Sequence, residues 1–246
     1  MAGFKTHVTF SGLIGVGYGS AGVLLLDAPL STSILAGGLC GVSGMLPDID
    51  SDSGIPLREA VALTAAIVPM MLVDRLKALD LSAESVVLVA ALFYLLVRFV
   101  FAEIVKRVTV HRGMFHSIPA AIIFGELAFL LTSGDDMHLR FYKAGGVLAG
   151  YLSHLALDEI YSIEWRYGLL RVKRSFGTAV KIWGDKWMAN IATFALLGLL
   201  TFATLYEPTY LRDHYRQHID QAADRAIDST GKTVETAGQV IERWWR

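Results

Sequence analysis

The 246-residue chain holds a single cysteine, Cys40, set inside an apolar run. One cysteine excludes an intrachain disulfide and any cysteine-rich zinc knuckle, so a bound metal must rely on histidine and carboxylate. A net charge of either sign is also missing: 22 Lys and Arg face 23 Asp and Glu, for a total of -1 with His neutral. No basic excess invites nucleic acid, and no acidic excess marks a disordered tail protein. His-Glu-x-x-His and Gly-x-Ser-x-Gly are absent, which argues against a zinc peptidase of the first kind and a serine hydrolase of the second. No internal repeat, Pro-rich linker or low-complexity tract divides the apolar part of the chain. Charged residues amount to only 18%. In their place stand 54% hydrophobic residues and a mean hydropathy of +0.48, in runs long enough to cross a bilayer. This excludes an ordinary soluble domain and predicts a polytopic membrane protein.

Hydropathy marks seven candidate spans, at about 8–26, 31–46, 57–73, 82–102, 117–133, 144–161 and 188–206. The expected fold is therefore all-α, a transmembrane helical bundle of about five to seven spans. The second run is short and carries Gly37, Gly38, Gly41 and Gly44, which calls for close packing against a neighbouring helix. The start, Met1 to His7, has one positive charge and no cleavage site before a polar segment, so the first span is expected to be retained. If all seven runs cross, the N-terminus and the loops at 47–56, 103–116 and 162–187 share one face. Most loop cations lie there, among them Lys106, Arg107, Arg112, Lys181 and Lys186, while Arg75, Lys77, Arg140 and Lys143 lie opposite. The positive-inside rule makes the first face cytoplasmic.

Composition changes after Glu207-Pro208, which separates a membrane-embedded domain over 1–206 from a tail over 207–246. In the tail Ile219, Ala223, Ala226, the weakly apolar Thr230, Val234, Ala237, Ile241 and Trp244 recur at steps of three and four, so an amphipathic helix is expected. It reads as a surface-lying helix anchored by Trp244-Trp245, with a coiled coil that makes a homo-oligomer as the alternative.

The ionisable residues beside the spans are more informative. Pro47-Asp48-Ile49-Asp50-Ser51-Asp52 follows the second span and could aim alternate carboxylates at a cation. In His111-Arg112-Gly113-Met114-Phe115-His116-Ser117, Ser117 is a candidate N-cap, Pro119 suits a first helical turn, and Gly113 lets His111 fold back towards His116. Arg112 adds a bidentate anion donor at that helix start. His154 and Asp158 are four apart within the sixth span and so share a helix face. Burying both in a membrane is costly unless they serve a site. His7 alone would read as a capping or surface histidine. Arg98 and Glu126, further ionisable residues inside spans, read by default as snorkelling or as a helix–helix ion pair. Four distant segments thus bring His7, His111, His116, His154, Asp48, Asp50 and Asp158 to one face, a ligand set suited to two metal ions with open positions.

In this order Thr6-His7, Leu46-Pro47-Asp48-Ile49-Asp50, His111-Arg112-Gly113-Met114-Phe115-His116-Ser117 and Gly150 to Asp158 resemble the YdjM-like family of inner-membrane metal-dependent hydrolases, over roughly residues 1–165. More distantly they are similar to the all-helical zinc phospholipase C and single-strand nuclease group, which implies phosphoester hydrolysis at a multi-zinc centre. The expected function is a membrane-bound hydrolase that cleaves a phosphoester of a lipid or lipid-linked substrate with metal-activated hydroxide. Two zinc ions suit the mixed ligand set, with manganese or iron as alternatives. Arg112 would steady the phosphate oxygens and Asp50 would take part in catalysis as well as metal binding. The competing expectation is a transporter or metal-permeation protein that uses the same residues as a transit site.

Overall fold

The computed structural model describes residues 3–50, 54–77, 79–103, 113–132, 134, 136–166, 169–172, 177 and 180–244. Among the described residues seven long helices occupy the seven apolar runs: α1 (Phe4–Leu25), α2 (Leu30–Ser43), α3 (Gly54–Lys77), α4 (Ala83–Leu95), α5 (Ile118–Leu131), α6 (Met137–Ile160) and α7 (Trp187–Trp244). A 3-10 turn, Leu46–Asp50, follows α2, and α4 runs on into a π-helical stretch, Leu96–Phe101. The all-α membrane fold is as expected. Among the described residues three helices are long and apolar enough to cross a bilayer, Phe4–Leu25, Ala83–Phe101 and Trp187–Glu207, and Leu30–Ser43 and Ile118–Leu131 are shorter apolar helices. Two compact units emerge, Met1–Thr201 and Phe202–Arg246. The second consists of the later part of α7, which covers both the seventh apolar run and the tail.

At the centre of the first unit α6 packs against α1, α2 and α5. It is too polar to pass for a span by composition because it carries the ionisable residues of the interior, and its neighbours supply the apolar surface. The α1–α2 and α2–α6 contacts are made backbone to backbone. A Cβ on Gly37 would lie 2.6 Å from the Gly15 carbonyl oxygen, and one on Gly146 would lie 2.7 Å from that of Ala36. Glycine is needed there for close approach, as the short second run predicts. Tyr18 and Tyr142 stack at 4.9 Å, and each hydroxyl donates to the other's carbonyl oxygen, which latches α1 to α6. On the outer surfaces large apolar side chains such as Leu24, Val16 and Leu88 stand exposed, as lipid-facing residues do.

Helix α5 begins as read, with the Ser117 hydroxyl accepting from the Ala120 N–H. Its other end departs from the sequence reading. Arg140, counted there as a loop cation, is only 1% exposed. Its guanidinium donates to the Phe129 carbonyl at 3.0 Å and lies over the Phe129 ring, so it closes an open helix end from the first turn of α6. Arg75 donates to the Thr132 carbonyl at 3.2 Å in the same way. Glu126 meets a hydroxyl rather than a cation: Thr201 donates to it at 2.6 Å across α5 and α7. The loop expected at 162–187 contains an antiparallel hairpin, β1 (Ile163–Arg166) paired with β2 (Leu169–Val172), with Ile163 opposite Val172.

Candidate metal centre

Four elements deliver side chains to one point. The second turn of α1 brings His7, the 3-10 turn after α2 brings Asp48, the residue before the α5 cap brings His116, and the last two turns of α6 bring His154 and Asp158. All three histidines are almost fully buried, as is Asp158, and Asp48 nearly so. His7 Nε2 lies 3.2 Å from Asp158 Oδ1. His154 Nε2 is 3.7 Å from Asp48 Oδ1 and 4.0 Å from Asp158 Oδ2. His116 Nε2 is 3.9 Å from Asp48 Oδ1 and 4.0 Å from Asp158 Oδ2. The His7 and His154 rings stack at 3.7 Å, and His116 stands edge-on to His154 at 5.6 Å.

These separations can be judged against metal coordination. Donors held about 2.1 Å from a tetrahedral ion lie about 3.4 Å from one another. The histidine–carboxylate distances fall around that value, longer than most direct hydrogen bonds. Two groups, His7 with His154 and Asp158, and Asp48 with His116 and His154, could each hold a metal ion. His154 carries the strongest signal. Its Nδ1 faces the Gly44 carbonyl oxygen at 2.7 Å. A carbonyl only accepts, so Nδ1 carries the proton and Nε2 keeps its lone pair. That Nε2 is buried without a hydrogen-bond partner and is ringed by carboxylate oxygens and other imidazoles. An orphaned buried acceptor of this kind is expensive unless something electropositive sits there, and the donor set of three imidazoles and two carboxylates suits a divalent ion.

Of the seven ligands expected from the sequence, five therefore converge. His111 and Arg112 lie outside the described residues, as does the side chain of Asp50, whose backbone forms part of the 3-10 turn. Sequence reasoning gave no role to three groups that build the site. The Gly44 carbonyl orients His154 but leaves no side-chain signature. The Tyr151 hydroxyl, fully buried, donates to the Phe115 carbonyl and holds the segment before His116 against α6. Glu159, next to Asp158, accepts from the Gly177 and Val180 amides and ties the loop after α6 to the same end of the helix. Alternation between buried Tyr151, His154, Leu155 and Asp158 along α6 was the available hint for Tyr151.

The family model described as YdjM inner membrane protein matches residues 1–211, well beyond the motif-bearing part of the chain. No curated protein and no solved structure matches.

Proposed function

The chain belongs to the YdjM inner membrane protein family, and from that premise we propose that it is a membrane-bound metal-dependent hydrolase that cleaves a phosphoester of a lipid or lipid-linked substrate. The observation that carries this reading is the orphaned Nε2 of His154 at the meeting point of His7, Asp48, His116 and Asp158. A ring nitrogen has one lone pair, so His154 serves one ion, and Asp158 is the residue suited to two. Its Oδ1 is directed at His7, and its Oδ2 lies towards His116 and His154. His7, Asp48, His116, His154 and Asp158 would hold two zinc ions, with Asp50 and His111 as the further ligands expected from the sequence. Divalent ions held there supply an activated water near neutral pH and neutralise charge on a phosphoryl group. The chain's own contribution is to orient the imidazoles, exclude bulk water by burial and, through Arg112, steady the phosphate oxygens. A site at the end of a membrane bundle favours an amphiphilic substrate. The transit alternative needs a route to the other end of the bundle, and at Gly15, Gly37, Gly146 and Gly150 along the α1–α2–α6 seam the backbones are in close contact.

Metal content and phosphoesterase activity of the detergent-purified protein, measured beside Asp158→Asn, test the proposal. Stoichiometric zinc with hydrolysis of phospholipid or lipid-linked phosphate, both lost in the variant, is the expected result. Metal without hydrolysis would favour the transit reading.

Two further outcomes follow from the arrangement. The chain is taken to cross the membrane several times with the centre on the cytoplasmic side, so a cysteine at Ser51 should stay unlabelled by an impermeant reagent in intact cells, and one at Lys77 should react. Cys40 is buried and adds no background. Labelling at position 51 would place the site outside. Truncation after Pro208 should leave bound metal unchanged, because every ligand lies in the first unit. Loss of metal from a folded truncation would show that the tail supports the centre.

A further inference from the structure

The segment between α6 and α7 is held in place at both sides of the candidate centre. The Glu159 carboxylate accepts the Gly177 N–H at 2.9 Å and the Val180 N–H at 3.2 Å. The Ile118 N–H, two residues after His116, donates to the Lys181 carbonyl at 2.9 Å. Gly184 and the Asn190 side chain exchange two hydrogen bonds at 2.8 and 2.7 Å. A backbone fixed in this way still turns large apolar side chains outward: Ile182 is 61% exposed, Trp183 63% and Trp187 66%. The Trp183 ring stacks on Phe194 at 5.4 Å, seven residues into α7 from Trp187, so it lies along the first two turns of an apolar helix long enough to cross the bilayer. Tryptophan at that depth is an interface residue. Charge accompanies it. Between residues 160 and 187 stand six cations, Arg166, Arg171, Lys173, Arg174, Lys181 and Lys186, against the two acids Glu164 and Asp185. The chain as a whole is close to neutral, so this excess is local.

We propose that the segment 180–187 forms a binding surface for anionic phospholipid headgroups, with Trp183 and Trp187 seated in the interface and Lys181 and Lys186 on the phosphates. The place where α7 enters the apolar layer makes the leaflet the adjacent occupant, and the sign of the charge selects its anionic lipids. This stands whether or not the metal centre is hydrolytic. If it is, the surface gathers anionic lipid beside His116 and Asp158.

The test uses the full chain with Trp183 as its only tryptophan (Trp165, Trp187, Trp244 and Trp245 each replaced by Phe). The protein is placed in vesicles of equimolar phosphatidylglycerol and phosphatidylcholine, with brominated acyl chains on one lipid or the other. Brominated phosphatidylglycerol should quench Trp183 more strongly than brominated phosphatidylcholine. Each lysine near the surface favours an anionic lipid by about fivefold, so the ratio of the two quenching constants should collapse towards one in Lys181→Gln/Lys186→Gln and survive in Lys181→Arg/Lys186→Arg. Equal quenching by the two lipids in the parent protein overturns the proposal without recourse to any lysine variant, and so does the absence of quenching by either. An excess that persists after both lysines are removed overturns their role in it.

Discussion

Replacing His154 by alanine should strip metal from the centre and lower phosphoesterase activity by more than about a hundredfold, since loss of a mere outer-shell partner of a metal already costs about 10–100-fold. The reason is geometric. His154 Nε2 belongs to both candidate ligand groups, and its ring is preset by the 2.7 Å contact to Gly44. No neighbouring imidazole can replace it, because His7 and His116 approach from other elements. Asp158→Asn should match the loss. The amide keeps the shape of the side chain but offers one weakly basic oxygen where Oδ1 and Oδ2 face separate histidines. The fold should survive both changes. Removing a carboxylate from a buried position lessens a desolvation cost rather than adding one. Ser153→Ala is the control. Its hydroxyl donates to the Gly150 carbonyl within the helix and touches none of the ligands, so metal content and rate should stay within about twofold of the parent, as for other loss of a local hydrogen bond. Full metal stoichiometry in His154→Ala, measured by elemental analysis, would reduce His154 and Asp158 to a structural pair.

The sequence makes this site legible because the cost of burying ionisable side chains in a membrane marks them out, and a topology argument that did not use them places them at one end. Asp48, His116, His154 and Asp158 are recoverable on that basis. His7 joins them only through that shared face, since a histidine near the start of a helix taken by itself has several ordinary explanations, and the fold of α1 onto α6 brings it within 3.2 Å of Asp158. Among the described residues each of the seven apolar runs coincides with a helix, because long hydrophobic stretches in lipid have no other way to satisfy their backbone. The hairpin at 163–172 escapes such a reading. Its strands are four residues each, too short for a period to emerge. Arg140 was misplaced for a different reason. A loop cation and a cation that caps a helix from within the bundle look alike in sequence, and the partner carbonyl of Phe129 is invisible there.

The close contact of α2 with α6 sets the height at which Gly44 meets His154, and Gly150 is where that contact is tightest. A Cβ at position 150 would overlap the Cys40 carbonyl oxygen and the Ser43 hydroxyl, backbone on one side and a buried, hydrogen-bonded group on the other. Neither can rotate away, so Gly150→Ala must push the helices apart. Separation breaks the Gly44–His154 contact one turn further along α6 and pulls Asp48, carried by the turn after α2, away from Asp158. The expected result is a stability loss at or beyond the upper end of the usual overpacking range, about 3 kcal/mol or more, together with loss of bound metal. Gly38→Ala on the same helix pair provides the contrast. A Cβ there meets nothing within 4 Å, and alanine is the better helix former by about 1 kcal/mol in water, so that variant should melt at or slightly above the parent temperature. Thermal midpoints in detergent, read beside metal content, separate the two. If Gly150→Ala melted like Gly38→Ala and kept its metal, the backbone approach of α2 to α6 could not be what holds His154 in register with Gly44.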